Sequence, residues 1–203
     1  MSSFSLPLQY FCFSPTKKFW HEKLVINPND TAAIKRNIEI TDAEIEKIFV
    51  SCDIILPCAH YCKSGLRLDY YENHIKGDFL VLEKTVKELY PDYTDSFDKV
   101  MNGYKLYCYN MFITNHVLFI RYMEWLFNIL FNVEKKINIS SDCYQERVFG
   151  FMAERLFTLY VYHNKLKILE LPIVYLDENV TATNWQRKSG HAILSDLGII
   201  SWY

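Results

Sequence analysis

Residues 116–133 read HVLFIRYMEWLFNILFNV, an apolar run long enough to raise the question of a membrane span. Arg121, Glu124, Asn128 and Asn132 interrupt it. A charge at the middle of a span costs a few kcal/mol in lipid. A helix buried in a protein core, or lying on a membrane surface, is the more economical reading. If the helix is buried, other elements of the chain must cover it.

Those elements alternate along the sequence. Thr41-Asp42-Ala43-Glu44 has the form of a capping box, and Ile45, Ile48 and Phe49 follow at helical spacing, predicting a helix over 42–50. CDIILP, 52–57, is a compact apolar run closed by proline and reads as a buried strand. Residues 58–77 show no clean period and read as a long loop. Phe79, Leu82, Val86 and Leu89 predict an amphipathic helix stopped before Pro91, and a second helix runs over 94–102 with Gly103 at its end. YKLYCYNMFIT, 104–114, is β-prone. After the apolar helix, Asp142 can cap a helix reaching about residue 163. LKILELPIVYL, 166–176, predicts an edge strand or a strand broken at Pro172. Residues 14–40 leave room for one short strand. Strands alternating with helices argue for an α/β fold.

Composition narrows the function classes. A net charge of -2 gives no field that favours nucleic acid. The aromatic fraction of 16% suits core packing, and the same rings can stack on sugars. Cys12, Cys52, Cys58, Cys62, Cys108 and Cys143 have irregular spacing, so they outline neither a disulfide framework nor a standard zinc site. Met1 to Phe13 lacks a basic start and a cleavage site, so no secretory signal is expected. Dinucleotide-binding, P-loop, zinc-protease and nucleophile-elbow motifs are absent, as is an Asp-x-Asp pair for a metal–diphosphate.

The 142–163 segment carries the best candidate chemistry. On a helical wheel Glu154 falls about 20° from Arg147, opposite the stripe of Phe149, Met152, Leu156 and Tyr160. Glu154 could deprotonate a hydroxyl and Arg147 could bind a phosphate or carboxylate, or both could lie on a plain solvated face. Arg155 lies on the flank. Gly150 in mid-helix suggests close approach of another backbone or a ligand, or a simple packing contact. Asn110, inside an apolar run, needs partners if buried, or faces a ligand from a strand end. His60 and His74 fall in the long loop.

NMFI (110–113), EWLFNILF (124–131), YQERVFGFMAERL (144–156) and ELPIVY (170–175) resemble domain-of-unknown-function family 4422, and so do CDIILP, Tyr70-Tyr71-Glu72-Asn73-His74 and ELYPDY (88–93). Members occur in capsular and exopolysaccharide gene clusters and are regarded as glycosyltransferases. The resemblance implies a GT-A-like, Rossmann-type α/β sandwich using a nucleotide-sugar donor, with a glycan or lipid-linked acceptor. It implies a cytoplasmic place, at the inner face of the membrane if the acceptor is lipid-linked, and leaves room for peripheral membrane association. The family's His-Tyr-Arg-Arg-Tyr-Phe block is represented only by Gln9-Tyr10-Phe11, so the N-terminal βαβ units are expected to be missing. The expected organisation is an atypical segment 1–9, a glycosyltransferase-like domain 10–176 and a tail 177–203. By resemblance Glu154 is the catalytic candidate. Asn110, Arg147, Arg155, His74 and Tyr144 are the substrate-binding ones, with either arginine neutralising a leaving diphosphate. The cofactor is unknown, and a divalent metal would have to bind without an Asp-x-Asp motif. A truncated, inactive remnant or a non-enzymatic interaction module is the competing reading.

Overall fold

The computed structural model describes residues 11–13, 24–27, 29–30 and 42–176. Two compact units emerge: Met1–Val50 with Leu171–Tyr203, and Ser51–Glu170. In chain order the elements are β1 (Phe11–Phe13), β2 (Leu24–Ile26), α1 (Asp42–Phe49), β3 (Ile54–Pro57), β4 (His60–Tyr61), α2 (Leu66–Asn73), α3 (Lys76–Leu89), α4 (Thr94–Asn102), β5 (Lys105–Leu106), β6 (Ile113–Thr114), α5 (His116–Glu134), α6 (Val148–His163), β7 (Ile168–Leu171) and β8 (Ile173–Leu176).

In the first unit β8 is the central strand. Antiparallel β1 sets Phe11 opposite Tyr175, and parallel β2 sets Leu24 opposite Val174. β2 answers the short strand predicted for 14–40. Helix α1 forms where predicted and buries none of its side chains. Thr41, the first residue of the predicted capping box, lies outside the described residues.

The second unit carries a sheet of order β6-β3-β7, with all four residues of β3 buried. Asp53 clips both neighbours to β3. Its Oδ2 accepts the Lys167 amide at 2.7 Å, and its carbonyl accepts the Thr114 hydroxyl at 2.8 Å. Pro172, which has no N–H to donate, separates β7 from β8, and the two strands join different sheets.

In this part of the chain the structure differs from expectation at residues 58–77 and 104–114. Residues 58–77, expected as a loop, hold β4 and α2. Only Leu66 and Tyr70 of α2 are buried, so its apolar period is too thin to see. Gly65 starts α2 at φ +85, and a Cβ there would meet the Gly103 carbonyl at 3.3 Å, so this glycine is needed both for its backbone region and for space. Residues 104–114, expected as one β-prone run, form two two-residue strands around a turn. Tyr109 (φ 74) and Asn110 (φ 48) are both left-handed there. β-propensity reports side chains that suit a half-buried surface and does not say whether a neighbouring strand is available.

The core lies between helices. Asn115 caps α5, its Oδ1 accepting the Leu118 amide at 2.9 Å. α5 buries Tyr122, Trp125, Leu126, Ile129, Leu130 and Val133. Trp125 packs its ring 5.1 Å from Tyr93 and 5.1 Å from Tyr160, and Tyr122 lies 5.0 Å from Tyr160. Arg121 and Glu124 remain exposed, as their charge requires. Among the described residues no helix is long and apolar enough to cross a membrane.

Candidate functional site

The segment predicted as one helix from Asp142 begins as a 3-10 turn, Gln145–Arg147, and only then becomes α6. Asp142 does cap, but it caps that turn: its Oδ1 accepts the amides of Tyr144 at 3.0 Å and Gln145 at 2.9 Å. Arg147 therefore stands just before α6, not on its wheel. The Arg147 side chain is exposed, with the guanidinium carbon 5.5 Å from the centroid of Phe151. Gly150 is exposed and a Cβ there would meet nothing within 4 Å, so no neighbouring backbone approaches it.

Glu154 is half-buried on α6, not fully solvated. Its Oε1 accepts the Tyr109 amide at 2.9 Å. Burial pushes its pKa up, opposed by that bond and by the guanidinium charges of Arg155 and Arg147. One turn later the Thr158 hydroxyl donates to the Glu154 carbonyl and accepts the Tyr107 amide, both at 3.0 Å. Two side chains of α6 thus hold the chain at 107 and 109 and bring the turn beside Glu154. Asn110 lies exposed in that turn, not in a strand, so the expected need for buried partners does not arise.

Arg155 is turned into the protein. At 2% exposure it is among the largest fully buried side chains. One guanidinium nitrogen, Nη2, lies 2.7 Å from Asp69 Oδ2, and Nη1 donates to the Phe151 carbonyl at 3.0 Å. Its charge sits 4.7 Å over the Tyr70 ring. This commits the guanidinium internally, in contrast to the flank position read from the wheel. Among the described residues Arg155 Nε, Tyr70 Oη and His74 Nδ1 are buried without a hydrogen-bond partner.

His74 closes α2 and lies in a ring stack with Phe151 at 3.9 Å and Tyr144 at 5.7 Å. Burial, then the Arg155 charge, pushes its pKa down to about 4, so the imidazole is neutral at neutral pH. The Gln145 side chain donates to the Asn73 carbonyl at 3.0 Å and ties the 3-10 turn to α2. Cys58 and Cys62 have their thiols pushed up to about 11 by burial, so both are in the thiol form at neutral pH. Among the described residues no group of three or more His, Cys, Asp or Glu side chains is placed to hold a metal ion.

The structure thus sets the Asn110 turn beside Glu154 on α6, with Arg147, His74 and Tyr144 near the start of the helix. It sets Arg155 underneath. Sequence reasoning missed the parts played by Asp69, Tyr70 and the Tyr109 amide. The recurrence of Leu66, Tyr70 and His74 every four residues was the available signal for the first two, since it predicts a helical face. No side-chain pattern announces a backbone donor.

Residues 9–165 match the protein family described as Domain of unknown function (DUF4422). No curated protein matches. Among solved structures the chain is similar to the apo structure of the bifunctional glycosyltransferase WbbM, with 26% identity and a TM-score of 0.74. The match covers 83% of this chain and 32% of that one, so the chain spans about a third of that protein. The likeness carries the architecture, an α/β, GT-A-like glycosyltransferase fold, as the sequence resemblance implied.

Proposed function

The chain belongs to the DUF4422 family, and from that premise we propose that it transfers a sugar from a nucleotide-sugar donor to a glycan or lipid-linked acceptor in bacterial capsular or exopolysaccharide synthesis. The proposal places it in the cytoplasm, at the inner membrane face where the acceptor is lipid-linked. The observation that carries the reading is the Glu154 carboxylate. It is half-buried, raised in pKa, and has one oxygen fixed by the Tyr109 amide.

A fixed carboxylate of raised basicity suits a general base. In an inverting displacement Glu154 takes the proton of the acceptor hydroxyl. The acceptor oxygen then bonds to the anomeric carbon of the donor as the bond from that carbon to the diphosphate oxygen breaks. The nucleoside diphosphate leaves with the electron pair. Arg147, exposed beside Phe151, supplies a cation for the leaving group. Asn110, in the left-handed turn beside Glu154, offers an amide to a donor hydroxyl. Arg155 acts through position, since its pairing with Asp69 and its bond to the Phe151 carbonyl fix the α6 turn that carries Glu154.

Glu154→Gln tests this directly. Gln keeps an oxygen to accept the Tyr109 amide but cannot take the proton. Transfer from a panel of nucleotide sugars by the full chain is expected to drop by about 10²–10⁴, with the melting temperature held. Unchanged transfer removes Glu154 from the role. The pH profile of the wild-type enzyme gives a second readout, rising as Glu154 ionises.

A further inference from the structure

Tyr144 and Arg147 stand exposed at the start of α6, and Phe151 and His74 lie half-buried between them. Their rings make one stack: His74 lies 3.9 Å from Phe151, and Tyr144 lies 5.7 Å from His74 and 5.1 Å from Phe151. Although Tyr144 is 51% exposed, its backbone amide is held by Asp142, and the next residue is tied to α2 through Asn73. An exposed ring fixed in this way is a platform, because its position costs a ligand little ordering.

Beneath the stack, Arg155 is 2% exposed and its Nε has no partner among the described residues, nor have Tyr70 Oη and His74 Nδ1. Buried polar atoms without partners are uncommon in folded proteins. These atoms are enclosed beneath the rings, so a ligand on the outer side meets the aromatic ring of Tyr144 and not them. Gly150, next to Phe151 in the chain, is exposed, and a Cβ there would meet nothing within 4 Å. Phe151 and Glu154 are three residues apart on α6, about 4.5 Å along the axis, comparable to the width of one sugar ring.

We propose that the Tyr144–His74–Phe151 stack is the subsite for the acceptor's terminal sugar, a neutral hexose whose C–H face lies on the rings while one hydroxyl reaches Glu154 across the open surface at Gly150. Aromatic faces carry negative potential and attract the polarised C–H bonds of a sugar. The inference rests on the transferase reading for the role of the bound sugar, while the stack itself can be tested by binding alone.

The experiment titrates the full chain with a panel of methyl β-hexopyranosides, observed by saturation-transfer NMR. At least one glycoside is expected to bind, with saturation strongest for protons on one ring face. Tyr144→Ala should weaken that binding about tenfold by removing the outer ring. Gly150→Leu should weaken it to a similar degree by filling the open surface. Its melting temperature should not fall, because leucine favours helix and its Cβ meets nothing. No binding by any glycoside, or binding indifferent to both substitutions, overturns the subsite. A chain that binds glycosides at the stack but turns over no donor keeps the subsite and loses the transferase reading. Turnover indifferent to both substitutions does the reverse.

Discussion

Burial raises the pKa of Glu154 and lowers that of His74, and the two shifts act on stability with opposite signs. Glu154 contributes stability that is fully present below its unfolded value of 4.5 and is lost as pH rises through its raised folded value. His74 contributes stability that is present above 6.5 and is lost as pH falls through about 4. The His74 contribution to the melting temperature should therefore decline as pH drops from 6.5 toward 4, against a gain from Glu154. In His74→Phe, which keeps a ring in the stack but cannot titrate, that part of the pH dependence should be lost. An identical slope in the variant would assign the pH dependence to other groups. Arg155→Met tests the ion pair below. It leaves the Asp69 carboxylate, 27% exposed, without its partner, at a cost of about 3 kcal/mol in urea unfolding. Arg155→Lys should not restore the loss, because one ammonium cannot bridge Asp69 and the Phe151 carbonyl as the planar fork does.

At the scale of elements, Gly150 and Asn115 bear opposite expectations. Gly150→Ala adds a methyl group to open space in a helix and should stabilise the chain by about 1 kcal/mol. Asn115→Ala removes the acceptor for the Leu118 amide and should destabilise it by about 1 kcal/mol. Chemical denaturation of both variants measures the pair. The elements that sequence made legible share one trait: their signal is local. Helix α4 ends at Gly103, α5 carries its apolar face over several turns, and Pro172 breaks its strand because it lacks an N–H. The illegible ones depend on partners far along the chain. β5 exists because β4 lies opposite, Leu106 against His60, and α2 hides its two buried side chains among polar neighbours. The same division runs through the site. Glu154 and Asp142 could be read from helical spacing and capping. Arg155 could not, because its burial depends on Asp69, 86 positions away.

For the whole molecule, the main core cluster runs from Ile54 to Val161, with Ile168 packed against it, and lies entirely inside the Ser51–Glu170 unit. A fragment of residues 51–170 should therefore melt cooperatively by itself. Its sole tryptophan, Trp125, is 6% exposed and should emit in the blue until that transition. A fragment with red-shifted emission at the outset would show that the remaining residues are needed to complete the core. Within this unit the turn at Tyr109 and Asn110 holds two consecutive non-glycine residues at positive φ, at an expense of about 1 kcal/mol or more each. The catch on that turn is the carboxylate assigned to take the acceptor's proton. Whatever neutralises Glu154 weakens the bond to the Tyr109 amide, because a charged acceptor binds an N–H more strongly than a neutral one. One nitrogen resonance therefore serves as a built-in gauge of proton traffic, and its chemical shift should follow the ionisation of Glu154 and lose that dependence in Glu154→Gln.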